Sequence, residues 1–207
     1  MIKVWGRPNS INVQKVIWTL GELELAHERI DAGGAFGGLD TPAYLRLNPN
    51  RRIPTLEDDD FVLWESNSIV RYLAASYGEG RLCPPHPRGR AAAEQWMDWQ
   101  LSTLLPPLRL AFWGLIRTAP EERDEAAIAR AGEELAGRFA LLDAQLQGRA
   151  FLLGEHFTMA DIPLGACAYR WYGLETLPHP ELPALRAWYD RLTARAPFRR
   201  HVMLPLT

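Results

Sequence analysis

The sequence is poor in the residues that mark several protein classes. It has two cysteines, Cys83 and Cys167. They are too few and too far apart for a disulfide framework or a cysteine metal motif. The five histidines are scattered without metal-ligand spacing. No apolar run is long enough to cross a bilayer and no secretory leader is recognisable, so a reducing cytoplasm is the expected location. Neither sign of charge dominates: the formal net charge is −2, which gives no reason to expect nucleic acid or a bare membrane surface as partner. Lysine is nearly absent, with Lys3 and Lys15 against 21 arginines. Genome composition, rather than function, accounts for such a bias. Internal repeats and low-complexity stretches are also missing.

What remains is a chain of 207 residues, 47% hydrophobic, enough for one or two domains. Its organisation changes near residue 80. Ile2-Lys3-Val4-Trp5 reads as a strand. Val13, Val16, Ile17, Leu20 and Leu23 then recur at helical spacing. Residues 27–31 read as a second strand, followed by a glycine-rich loop over 33–38 and a short helix. Residues 53–57 and 61–64 read as a strand pair around an acidic turn, and Ile69, Val70, Leu73 and Tyr77 mark another helix. Strands 1 and 2, joined by a helix, should be parallel. The segment from Gly78 to Pro87 is a proline-rich linker. Beyond it only helices are expected. One runs from Arg88 to Arg117, bent or interrupted at Pro106-Pro107. A second opens at Pro120 and runs to about Gln147. A third follows a T-x-x-D capping box at Thr158–Asp161, and Leu182–Ala194 supplies the last. The expected domains are an α/β unit over 1–78 and an all-helical unit over 88–207.

One motif carries chemistry. Pro54 follows Arg52 and Ile53, and Glu65-Ser66 stand eleven residues later. Proline at a strand start cannot donate to the ladder, and the residue before it is pushed toward extended backbone. The N–H and C=O of Ile53 are thus left to pair with an incoming extended peptide. Ser66 opens a helix, whose N-terminus is a ready anion site. A small peptide with a carboxylate at one end fits both.

These residues give the chain its resemblance. It resembles the cytosolic glutathione transferases over its whole length: the x-Ile-Pro turn, the Glu-Ser pair and the T-x-x-D box occur in the family's order and spacing. Residues 7–15, Arg7-Pro8-Asn9-Ser10-Ile11-Asn12-Val13-Gln14-Lys15, resemble a bacterial subgroup with a Ser-x-Asn motif. So do Leu47-Asn48-Pro49-Asn50 and the stretch from Trp64 to Leu73. The resemblance implies a thioredoxin-like first domain with a cis Ile53-Pro54 bond, followed by an all-α second domain. It also implies glutathione as co-substrate with no permanently bound cofactor, a small electrophile as partner, and a homodimer. Ile53 would pair with the cysteinyl backbone of glutathione. Glu65 would hold its ammonium, Ser66 its γ-glutamyl carboxylate, and Arg52 its glycyl carboxylate.

The chemistry needs a thiolate, and free thiols titrate near ~8.5. A hydroxyl or amide aimed at sulfur lowers that value, and so does the positive end of a helix. Ser10 lies just before the first helical stripe and Asn12 in its first turn, so both are expected to face sulfur. The alternative role of Ser10 is a plain helix cap. The resemblance places the second half of the 88–117 helix against the site, which makes Phe112, Trp113 and Arg117 the expected electrophile pocket. Gln100 and Ser102 lie near positions that reach the partner subunit's glutathione in related enzymes. Trp96, Trp99, Trp171 and Trp188, at helical spacing, read as core, and Asp161 as a structural cap. No metal site is expected. The leading function is transfer of glutathione to an electrophilic, possibly halogenated, carbon. Glutathione-dependent peroxide or disulfide reduction on the same fold is the alternative, and a non-catalytic binding protein is the third reading.

Overall fold

The computed structural model describes residues 1–207. Strand β1 (Ile2–Trp5) leads into helix α1 (Ile11–Glu22), which returns the chain to β2 (His27–Ile30). β1 and β2 are parallel, with Ile2 opposite His27. After a glycine-rich loop and the short α2 (Pro42–Leu47), β3 (Thr55–Asp58) and β4 (Phe61–Trp64) form a hairpin and lead into α3 (Ser66–Tyr77). The sheet order is β2-β1-β3-β4, and β3 is antiparallel to both neighbours. Ile2, Val4 and Leu56 are buried under α1 and α3, the alternation expected of a half-buried strand.

The third strand begins at Thr55, two residues later than the pattern suggested. Pro54 has no N–H for the ladder, and the Ile53-Pro54 bond is cis. Ile53 therefore stays outside the sheet.

The second half is helical throughout. α4 (Pro87–Trp99), a π-helical turn (Gln100–Leu104), α5 (Leu105–Phe112) and a second π-helical turn (Trp113–Arg117) form one continuous run. Pro106 and Pro107 do not break it, because they sit in the opening turn of α5 directly after the wide turn. Pro120 opens only a 3-10 turn (Pro120–Glu122). The next helix, α6 (Glu125–Leu146), starts instead at Asp124, whose carboxylate accepts the Ala127 N–H at 2.9 Å. Proline suits a first turn, but it supplies no acceptor for the orphan amides, and Asp124 does. α7 (Asp161–Gly173) and α8 (Pro183–Thr193) follow. α8 is not the last: α9 (Ala196–His201) was missed, and its Phe198 packs edge-on against Trp18 at 4.8 Å.

A single core of 46 buried residues runs through both halves, so the two units pack as one body. Trp18 of α1 lies against Phe157 and Phe198. A side chain at Gly165 would lie 2.9 Å from the Trp18 ring, so α7 needs glycine there to approach α1. Arg195 pairs with buried Glu22 at 2.6 Å through a two-pronged contact. Trp171 and Trp188 are fully buried, and Trp96 and Trp99 pack against the core.

Candidate active site

Three sheet ends bring the motif residues together. Trp5 ends β1, Thr55 begins β3 and Trp64 ends β4, and the registers pair Thr55 with both tryptophans. The Ser10 loop leaves β1 at this end, Ile53-Pro54 enters β3 here, and Glu65-Ser66 leaves β4 here. A cleft of about 340 Å³ opens beside them. Ser10, Asn12, Arg52 and Ile53 line one wall, and Trp113 and Arg117 belong to the other, helical, wall.

Ser10 occupies the N-cap of α1, with extended backbone, but its hydroxyl makes no cap hydrogen bond. A serine used only as a cap would accept a first-turn N–H. Asn12 lies in the first turn of α1. Its Oδ1 is buried without a partner, and its amide nitrogen donates to no protein group. Amides of the first α1 turn stand beside both. The site therefore presents a hydroxyl, a carboxamide and a helix N-terminus with nothing of the protein to bind.

Ile53 is the second unsatisfied element. Neither its N–H nor its C=O joins the main-chain hydrogen bonds. The groups around it are pinned. Tyr44 donates its hydroxyl to the Arg52 carbonyl at 2.5 Å and also contacts Thr55 Oγ1 at 2.9 Å. Asn48 Nδ2 donates to the same two oxygens at 3.0 and 3.1 Å. Two buried side chains thus hold both flanks of Ile53 and leave Ile53 itself exposed to a ligand backbone. Sequence reasoning noted Asn48 only as part of a family-like stretch and missed Tyr44. The signal available was a polar residue recurring just before an x-Pro turn.

Glu65 has φ 71° and ψ 110°, a region that non-glycine residues avoid. Its side chain makes no cap bond. Ser66 behind it is buried. Strain at an exposed carboxylate with no local use is a pattern of ligand sites. Pro54, Glu65 and Ser66 flank the cleft rather than line it, and Pro54 is buried.

The helical wall departs from expectation in two places. Phe112 is buried and lies behind the cleft surface. Its ring supports two guanidinium groups, Arg170 at 4.1 Å and Arg117 at 5.3 Å. Trp113, 48% exposed, is the aromatic surface of that wall. Gln100 is also misplaced. It is fully buried, with Nε2 3.2 Å from the Cys167 sulfur and Oε1 3.2 Å from the Asn67 amide. A side chain enclosed this way cannot extend to a partner subunit, so Gln100 leaves the cross-subunit set. Ser102 is exposed, and its hydroxyl donates to the Asp98 carbonyl at 2.9 Å and lies 3.3 Å from Thr103 Oγ1.

Beneath the site Lys15 is fully buried, its Nζ donating to Asn67 Oδ1 at 2.8 Å. Burial lowers its ammonium from 10.5 to about 8. Cys167 is buried nearby, and burial pushes its thiol up, which leaves it unreactive. No group of metal-ligating side chains occurs. The remaining feature is one that composition concealed. Six of the sixteen residues lining the cleft are arginines, and none of the sixteen is acidic.

A thioredoxin-like sheet unit, an all-helical unit packed against it and a cleft between them are the two-domain plan of glutathione transferases. The chain belongs to this family. Residues 9–76 match the glutathione S-transferase N-terminal domain, and residues 97–196 match the glutathione S-transferase C-terminal domain. It is 47% identical to "Glutathione S-transferase GstB" of Escherichia coli (strain K12), over 100% of both chains. Its fold matches a theta class glutathione S-transferase from Xanthomonas axonopodis pv. citri, solved with glutathione bound. That match has a TM-score of 0.93 and 49% identity, covering 100% of this chain and 99% of the other. It is also 30% identical to "Disulfide-bond oxidoreductase YfcG" of Escherichia coli (strain K12), over 94% of this chain and 91% of that one. No helix is long and apolar enough to cross a membrane.

Proposed function

We propose that the protein is a glutathione transferase that activates the glutathione thiol and delivers it to a small electrophile. The observation that carries this reading is a pair of free donors at the N-terminus of α1, the Ser10 hydroxyl, which caps nothing, and the Asn12 amide N–H groups, which donate to no protein group, in the same cleft as the unpaired Ile53 backbone. Donors held ready for a charge act best when they are fixed before the charge arrives. Glutathione lies extended along Ile53, which pairs with its cysteinyl backbone beside Pro54. Ser66 holds the γ-glutamyl carboxylate, Glu65 the ammonium and Arg52 the glycyl carboxylate. The cysteinyl sulfur then faces Ser10 and Asn12. Their donors and the α1 amides favour the thiolate, and its proton leaves to solvent. The thiolate attacks an electrophilic carbon, forming a carbon–sulfur bond as halide leaves or as a conjugated double bond takes up the electron pair. Trp113 and Arg117 face the electrophile.

Glutathione is a co-substrate in this reading, and no bound cofactor or metal enters it. The protein works as a cytoplasmic homodimer, with Ser102 on the face toward the partner. Sedimentation at micromolar concentration tests the dimer, and a single 23 kDa species would overturn it. Disulfide or peroxide reduction is a second reading, favoured by the relative named as a disulfide-bond oxidoreductase. Both readings begin from the same thiolate. Turnover of chlorodinitrobenzene, cumene hydroperoxide and hydroxyethyl disulfide under one set of conditions separates them. Transfer to the aromatic chloride at a rate well above the reductions supports the first reading. Reduction without transfer supports the second.

A further inference from the structure

The six arginines of the cleft are Arg7, Arg51, Arg52, Arg109, Arg117 and Arg170. None takes part in an ion pair with a side-chain carboxylate. Arg52 adjoins Ile53 and stands where the glycyl carboxylate of glutathione is expected, and Arg51 precedes it in the chain. The other four lie elsewhere. Arg7 comes from the β1–α1 loop, Arg109 and Arg117 from the α5 run, and Arg170 from α7.

Arg7 and Arg170 converge on Asn9, next to Ser10. Arg7 Nη1 donates to Asn9 Oδ1 at 2.6 Å, and Arg170 Nη2 donates to the Asn9 carbonyl at 3.0 Å. Asn9 in turn donates to Thr207 Oγ1 at 2.6 Å, and Arg117 Nη2 donates to the Thr207 main-chain oxygen at 3.0 Å. A carboxylate at Thr207 would answer one of these charges and leave the others. Arg170 is only 7% exposed, its Nε has no partner, and its guanidinium lies 4.1 Å over Phe112. Burial and the neighbouring Arg117 and Arg7 charges lower it to about 10. A buried cation beside two others, with amide and carbonyl oxygens as its company, is destabilising for the empty protein. Such a breach of the ordinary rules is expected at functional sites.

We infer that the electrophile carries a negatively charged group, a carboxylate or a similar oxyanion, and that Arg7 and Arg170, with Arg117 and Arg109 around them, receive it. The inference rests on the glutathione-transfer reading and assigns its substrate class. A guanidinium fork matches a carboxylate in two parallel hydrogen bonds. Phe112 backs Arg170 and Arg117, Trp113 lies beside Arg109 and Arg117, and Gly34 gives Arg7 its room: a Cβ there would lie 2.9 Å from Arg7 Cδ. An acidic electrophile bound here has its charge on the arginines and its reactive carbon toward the sulfur at Ser10.

The test uses a matched pair, 4-chloro-3,5-dinitrobenzoate and its methyl ester. In both, the thiolate forms a bond to the ring carbon and chloride leaves. Each kcat/KM is divided by the uncatalysed rate constant, because the two rings differ in intrinsic reactivity. The wild type should accelerate the carboxylate about tenfold more than the ester, and the preference should shrink in high salt. Arg7→Gln and Arg170→Met should each cut the preference severalfold, while Arg7→Lys retains part of it. Equal acceleration of acid and ester, or a preference untouched in both Arg7→Gln and Arg170→Met, overturns the inference. If neither compound turns over, the transfer reading fails, and binding of the two preformed glutathione conjugates decides the inference. Calorimetry should then give about tenfold tighter binding of the carboxylate conjugate, and equal affinities would overturn it.

Discussion

Asp161 and Asn12 are both polar side chains in the first turn of a helix that packs in the centre of the chain, and their hydrogen bonding is opposite. Asp161 accepts from the Leu152 N–H at 3.0 Å, the Thr158 N–H at 2.9 Å, the Thr158 hydroxyl at 3.3 Å and the Trp188 indole at 2.9 Å. Both oxygens are used. Asn12 has an amide nitrogen that donates to no protein group and an oxygen with no partner, and the hydroxyl of neighbouring Ser10 caps nothing. The first arrangement closes a fold and the second leaves room for a ligand. A fully satisfied polar cluster is a structural device, whereas an orphaned one invites an explanation outside the chain. The expected capping box at Thr158 is itself only half formed: Asp161 reaches back to Thr158, but the Asp161 N–H goes to the Thr158 carbonyl. The carboxylate serves instead as a hub joining α7, α8 and the turn at Leu152.

The contrast is sharpest for stability. Asp161→Ala strands several buried donors, each costing roughly 1–3 kcal/mol. A loss of about 3–5 kcal/mol is expected, read by denaturant unfolding, while the folded fraction keeps its glutathione affinity. Normal melting with abolished turnover would make Asp161 a catalytic group and break the contrast.

Lys15 lies between the two cases, buried with one neutral acceptor. Its folded value, about 8, lies below its usual 10.5. Between these values the unfolded chain binds more protons than the folded one, so stability rises with pH across this window. The full gain is about 3 kcal/mol, at roughly 1.4 kcal/mol per unit. Unfolding of wild type against Lys15→Met from pH 7 to 10.5 isolates it, because the variant should lack this slope.

A smaller effect is expected at the ligand grip. Ser66→Ala removes one donor to a buried carboxylate and should weaken glutathione binding by roughly 1.5–3 kcal/mol. Titration calorimetry with an unchanged Kd would show that the γ-glutamyl carboxylate is held elsewhere.

The sequence disclosed whichever parts of this protein are written in local spacing. Ile53-Pro54, Glu65-Ser66 and the Ser10 loop are short stretches, and each carries its geometry in its own residues. The sheet and its parallel first pair followed from the alternation of patterns. What could not be read depended on helix phase and on distance. Gln100 falls on the inward stripe of Ala93, Met97 and Leu104, and Phe112 on that of Leu108 and Ala111. Which stripe of that helix meets the core is decided by the helices packed against it, so a polar Gln100 did not announce its burial. α9 was hidden because its six residues are too few to show a period. The arginines of the cleft are scattered from position 7 to position 170. In a chain with 21 arginines they looked like background.

The central claim is that Ser10 and Asn12 are left unpaired in order to hold a thiolate, and the ionisation of bound glutathione tests it most directly. Thiolate absorbance of the binary complex is followed against pH for wild type, Ser10→Ala, Asn12→Ala and the double variant. Each single change should raise the thiol pKa by up to about one unit, or roughly 1.4 kcal/mol, and lower turnover in step. The double variant should lose less than the sum, because either donor partly covers for the other and the α1 amides remain. Titration curves and turnover unchanged in both single variants would contradict the account and leave the backbone amides as the activating groups.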